Sequence, residues 1–217
     1  LAQRDDALAV RRPDAYVDGA VAHELLASAL SHLESVQLVR PWALGMTSLL
    51  LARELGVDEP LLVRVLAALV ENGRLAGRGG YYATLDHHPQ LSPEQQALFD
   101  ELIPRDSHSF VPVPFAGVVS GVKRSKVEGA PTALDTLLAL GALVRVGDDC
   151  YRGSQIAAVR SRVETYLRES ERMTAAQFRD LIGTSRKYAL PLLEWLDAHG
   201  VTVRDGDYRT LRTRPLP

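Results

Sequence analysis

Between residues 173 and 212 the apolar positions first repeat at helical spacing and then alternate. Phe178, Leu181 and Ile182 stand at i, i+3 and i+4, Gly183 interrupts, and Leu192, Leu193, Trp195 and Leu196 mark a face of a second run. After Gly200, a helix stop, Val201 and Val203 alternate with polar residues. Asp205-Gly206 offers the positive φ of a tight turn, and Tyr208 and Leu211 lie on the return strand. The expected order is helix, turn, helix, hairpin. A hydroxyl of Thr184 or Ser185 can accept an orphan amide at the start of the second helix, and Arg186 and Lys187 follow at once. Pro191 removes an amide a few residues into that helix and crowds the Lys187 carbonyl. Either the helix kinks there or it is regular only from Pro191 onward.

The same plan occurs twice upstream. Residues 18–36 carry a helical stripe through Val21, Leu25, Leu26, Ala29, Leu30 and Leu33, with Asp18 as a cap. Thr47 caps a short helix ended by Gly56, and Asp58 opens another that stops at Gly73, before a glycine-rich hairpin. Ser92-Pro93 starts the next unit with a serine cap and a proline at the first helical position. The prolines of residues 107–114 permit only loop or edge strand, a weak helix covers residues 116–122, and Pro131 opens a helix that stops at Gly141. Residues 143–151 form another hairpin. LAALVENGRLAGRGGYYATL, LDTLLALGALVRVGDDCYRG and LLEWLDAHGVTVRDGDYRTL share leucine-rich helix, glycine stop and hairpin.

The expected fold is therefore mainly α with small β wings: tandem winged-helix domains, each a helix-turn-helix plus hairpin. Residues 1–17 read as the remnant of a preceding domain or a linker. The winged helices fall at residues 18–90, 91–153 and 154–217.

Composition narrows the function. The 217 residues are 46% hydrophobic and 24% charged, values for one to three globular domains. The single cysteine, Cys150, excludes a disulfide framework and a multi-cysteine metal site, and makes the cytoplasm the default location. No apolar run approaches the roughly 18 residues of a membrane span, so no membrane partner is expected. The chain begins at Leu1 rather than methionine, from which we expect part of a longer protein. Its net charge of −2 hides an uneven distribution. Lys and Arg number 8 against 11 Asp and Glu in residues 1–91, 6 against 8 in residues 92–153, and 11 against 8 in residues 154–217. Only the last winged helix carries a positive surplus.

SRKYALPLLEWLD and the following GDYR, with AAQFRDLIGT before them, resemble the last domain of the bacterial selenocysteine-specific elongation factor family, SelB. His32, Pro41, Gly45 and Met46 resemble, more loosely, the pattern between the first two helices of an earlier winged helix of that family. The family's C-terminal arm has four winged helices, so the chain looks like the last three with a remnant of the first. The resemblance implies an RNA-binding arm that grips an mRNA hairpin, the selenocysteine insertion element, through the last winged helix. It also implies GTP, selenocysteinyl-tRNA and the ribosome as partners of domains upstream of this chain. No GxxxxGK[ST] loop occurs here, so neither a cofactor nor enzyme activity is expected of this fragment. A monomer is expected.

The residues expected at RNA are Arg179, Ser185, Arg186, Lys187, Arg204, Arg209 and Arg212. A helix N-terminus offers free amides to phosphate, and arginine can also fork to or stack on a loop base. Arg179 has a local alternative in Asp180 or Glu171, and wing arginines are exposed whatever a wing does. Tyr188 and Trp195 are expected mainly as packing. Lys123, Arg124 and Lys126 form a second basic cluster that fits a solvated loop better than RNA. Asp86-His87-His88, with His23 and His32, reads as a linker rather than a metal site, because adjacent histidines point apart. No Ser-His-Asp set or carboxylate pair suggests catalysis. Two other readings stay open: a winged-helix DNA-binding transcription regulator, and a protein-binding scaffold.

Overall fold

A computed structural model describes residues 8–9, 16–17, 19–104 and 110–212, so the expected cap Asp18 lies outside the described residues. The chain forms two compact units, Leu1–Ser92 and Pro93–Pro217.

In the first unit, β1 (Leu8–Ala9) pairs antiparallel with β2 (Tyr16–Val17) and precedes α1 (Gly19–Val39). Then come β3 (Met46–Thr47), α2 (Ser48–Leu55), α3 (Glu59–Glu71), β4 (Ala76–Arg78) and β5 (Tyr81–Ala83). Both expected caps are present: Thr47 Oγ1 accepts from Leu50 N and Asp58 Oδ2 from Leu61 N, each at 3.4 Å. Leu26, Ala29 and Leu33 of α1 meet Leu51 and Ala52 of α2 and Leu62, Val65, Leu66 and Leu69 of α3 in one buried cluster. Each fully buried leucine or valine contributes about 1.5–3 kcal/mol through removal from water. His87 Nε2 lies 2.7 Å from the Ala43 carbonyl, tying the segment after the wing back to the turn before β3.

The second unit holds two winged helices. The first comprises α4 (Pro93–Leu102), β6 (Val113–Pro114), α5 (Phe115–Ser125), α6 (Ala130–Ala139), β7 (Leu143–Val146) and β8 (Asp149–Arg152). The second comprises α7 (Gly153–Ser170), β9 (Met173–Thr174), α8 (Ala175–Ile182), α9 (Arg186–Ala198), β10 (Thr202–Asp205) and β11 (Tyr208–Leu211). Helix α5 is longer than the expected 116–122, because nothing breaks it before Lys126, which takes a left-handed φ of 56° as C-cap.

Each winged helix carries a three-stranded sheet with the return strand of the hairpin in the centre: β3-β5-β4, β6-β8-β7 and β9-β11-β10. The outer strands β3, β6 and β9 are two residues each and have no periodicity for a sequence reading to detect. Val113–Pro114 is an edge strand, a place in a sheet where its proline costs no ladder bond.

Helix α7 does not serve one winged helix alone. Its Ile156, Val159, Val163 and Leu167 are buried in a cluster that takes Phe110, Val146 and Tyr151 from one side and Met173, Phe178, Ile182, Leu192, Leu193 and Leu196 from the other. Just before α7, Arg152 ties β8 to the end of α4 by donating from Nε to the Ile103 carbonyl at 2.8 Å and from a terminal nitrogen to the Phe99 carbonyl at 3.0 Å and Asp100 Oδ1 at 2.8 Å. A guanidinium there satisfies orphan carbonyls at the end of α4. At the same place Gly153 has no room for a side chain, since a Cβ would lie 2.1 Å from the Gly141 carbonyl oxygen.

Candidate nucleic-acid interface

The site is built on α8 and α9. Thr174 Oγ1 accepts from Gln177 N at 3.2 Å while Gln177 Oε1 accepts from Thr174 N at 2.8 Å, a reciprocal cap that starts α8 squarely. Phe178 and Ile182 bury the inner face of α8, and Gly183 turns the chain with a φ of 69°. Ser185 is the N-cap of α9, with its carbonyl accepting from Tyr188 N and Ala189 N at 3.1 and 3.0 Å. The expected side-chain cap is not made. Ser185 makes no cap hydrogen bond, and Thr184 Oγ1 is enclosed without a partner among the described residues. The first turn of α9 therefore has no side-chain cap and keeps the Arg186 and Lys187 amides at its positive end, as α5 and α6 also lack one, whereas α2, α3 and α8 are capped by Thr47, Asp58 and Thr174.

Helix α9 is continuous from Arg186 to Ala198 with Pro191 inside it, so its first turn is helical rather than unwound. Leu192, Leu193 and Leu196 are fully buried and hold it in place. Arg186 and Lys187 are exposed in its first turn and form no ion pair among the described residues. Lys187 Nζ lies 5.0 Å from the Tyr188 ring centroid. Tyr188 is half-buried, and Trp195 packs against the core with its ring stacked on His199 at 3.7 Å.

On the wing, the hairpin turn is Gly206-Asp207 rather than Asp205-Gly206, because Asp205 still pairs with Tyr208 in the ladder. Arg204 is exposed and donates from Nε to the Gly206 carbonyl at 3.1 Å, which lays it along the turn. Arg212 is half-buried, with Nε enclosed and unpartnered among the described residues. Arg209 corrects the sequence reading. It is only 4% exposed rather than displayed on the wing, and its Nε lies 3.2 Å from Asp197 Oδ2, a strut between wing and helix. Arg179 pairs with Asp180 at 2.8 Å, the local alternative already named.

Much of the positive surplus is spent internally. Arg160 and Arg168 both pair with Glu164, and Arg162 lies over the Phe110 ring. Arg186, Lys187 and Arg204 remain, joined by Arg172, whose guanidinium carbon lies 5.0 Å from the Tyr208 ring centroid. The sequence reading missed Arg172. Its link to Tyr208 depends on β9 pairing with β11, through Thr174 opposite Tyr208, and β9 has no sequence signature. Lys123, Arg124 and Lys126 lie at the end of α5, where cations favour the helix dipole without any ligand.

Residues 165–211 match the family described as elongation factor SelB, winged helix. The chain is 34% identical over 79 residues, 36% of its length and 12% of the relative's, to a selenocysteine-specific elongation factor of Desulfomicrobium baculatum. It is 26% identical over 164 residues to the selenocysteine-specific elongation factor of Escherichia coli, covering 71% of this chain and 25% of the relative. A crystal structure of a bacterial selenocysteine-specific elongation factor superposes with a TM-score of 0.57 at 17% identity, over 96% of this chain and 32% of the other, a likeness of fold. The chain thus spans at most a quarter of the curated relatives' length.

Proposed function

We propose that this chain is the RNA-binding arm of a selenocysteine-specific elongation factor and grips an mRNA hairpin, the selenocysteine insertion element, through the start of α9. The observation that carries the reading is the uncapped first turn of α9, flanked by the exposed cations Arg186 and Lys187, in the domain of the SelB type. Free amides and a partial positive charge suit phosphate, and two full charges add an attraction that salt screens. Arg204 on the wing extends the basic edge, while Arg209 only holds the wing in place. GTP, selenocysteinyl-tRNA and the ribosome would be engaged by other domains of the whole factor, and the chain itself would work as a cytoplasmic, non-enzymatic arm.

The test is one titration of the 217-residue chain against a selenocysteine insertion hairpin and against duplex DNA of equal length, at several salt concentrations. Preference for the hairpin that persists as salt rises supports the reading. Equal affinity for both, or preference for the duplex, points to a DNA regulator. Binding to neither points to a protein scaffold.

A further inference from the structure

We infer that Arg172 and Tyr208 form a second contact with the hairpin, a platform on which one unpaired nucleobase stacks; this rests on the RNA-binding reading above. The two side chains are already assembled. The Arg172 guanidinium lies over the Tyr208 ring, 5.0 Å from its centroid, and both residues are exposed, Tyr208 by 40%. Arg172 has no carboxylate partner among the described residues. The backbone that delivers it is strained. Helix α7 ends at Ser170, its C-cap Glu171 is a non-glycine residue with φ 59°, and Arg172 N bonds the Ser170 carbonyl at 2.6 Å. Such a conformation costs energy and persists only when its surroundings enforce it. Here it swings Arg172 off the helix axis and onto the wing, immediately ahead of β9.

The chemistry of the platform differs from that of α9. Tyr208 stands directly across the hairpin from Asp205, with Asp207 in the turn between them, both exposed. Two carboxylates flanking Tyr208 on the wing make its surroundings a poor phosphate site, since they repel the anion that Arg172 attracts. They do not repel a neutral ring. Arginine planes and aromatic rings are the surfaces that splayed-out bases of RNA loops stack upon, and here one of each lies side by side in solvent. The start of α9 would then hold the backbone, and the Arg172–Tyr208 pair would take a base.

The experiment uses the 217-residue chain and a selenocysteine insertion hairpin carrying 2-aminopurine at one unpaired position at a time. With the wild type, one position is quenched on binding through Arg172 and Tyr208. Tyr208→Phe keeps that quenching, whereas Tyr208→Leu and Arg172→Lys lose it and bind about five- to tenfold more weakly at an unchanged salt slope. A stack that merely braced the wing would lower the unfolding midpoint of these variants without changing fluorescence at any position. Unchanged quenching at every position in both Arg172→Lys and Tyr208→Leu overturns the platform. Should Tyr208→Leu fail to fold, the exposed Arg172→Lys change decides alone. A wild type that binds no hairpin overturns the RNA-binding reading itself, and the platform with it.

Discussion

Arg209 Nε lies 3.2 Å from Asp197 Oδ2, which ties the return strand of the last wing to the final turn of α9. Thr202 Oγ1 donates to the other oxygen of Asp197 at 2.5 Å, so one carboxylate clamps both strands of the wing to the helix. With Arg209 4% and Asp197 23% exposed, the pair is screened far less than a surface bridge.

Arg209→Ala leaves Asp197 half-buried without its cation and should cost about 2–4 kcal/mol of stability. Arg209→Met, which keeps the packed stem, should cost less. Urea unfolding measures both. At temperatures where Arg209→Met is folded, the salt slope of RNA binding should match the wild type, since Arg209 is assigned no phosphate.

At the start of α9 the two cations should separate. Arg186→Lys keeps charge but loses the planar fork, and should lose about 1–3 kcal/mol for the insertion hairpin with little effect on a scrambled one. Lys187→Ala should weaken both RNAs alike and reduce the salt slope by about one phosphate contact. Titrations at several salt concentrations decide, and an Arg186→Lys protein with full discrimination would reject base readout by that residue.

Truncation at residue 153 should be more damaging than the repeat pattern suggests. It strips Phe110, Val146 and Tyr151 from the cluster around α7. A fragment of residues 154–217 should unfold at lower urea concentration than one of residues 93–217, and Tyr151→Ala in the longer fragment should cost about 3–5 kcal/mol, as large-to-small core changes of aromatics do. Equal midpoints for the two fragments would show that the shared core contributes nothing.

Cys150 is buried, and burial pushes its thiol up from 9.0 to about 11, opposed in part by Arg152. Tyr151 shifts upward too, through burial and then the nearby Asp149 and Tyr188. Both groups are neutral acids held protonated by the fold. Their stabilising contribution is complete below the unfolded-state values and is lost as pH rises through the folded ones. For Cys150 that window runs from about 9 to about 11. Denaturation midpoints should fall across it, and Cys150→Ser should flatten the cysteine part of the fall. A thiol reagent at pH 8 should modify Cys150 only as fast as the domain opens.

Helix spacing, glycine stops and hairpin turns specified the repeated winged-helix plan by themselves, because each is a local property. Thr47 and Asp58 sit where short-range geometry lets them meet an amide three residues on. The exposure of Lys187 likewise follows from the positions of Leu192, Leu193 and Leu196 on the other face of α9. What depends on distant partners was not legible. Two-residue strands such as β9 exist only because a hairpin offers them a ladder, and the Arg172–Tyr208 contact exists only because β9 does. Arg204 and Arg209 are equivalent in a sequence, both cations in a wing. Tertiary structure alone decided that Asp197 waits beneath one of them while the other meets solvent. Ser185 is the converse case: its residue type promised a cap, and only the folded turn leaves its hydroxyl unused and the amides of α9 open to a ligand.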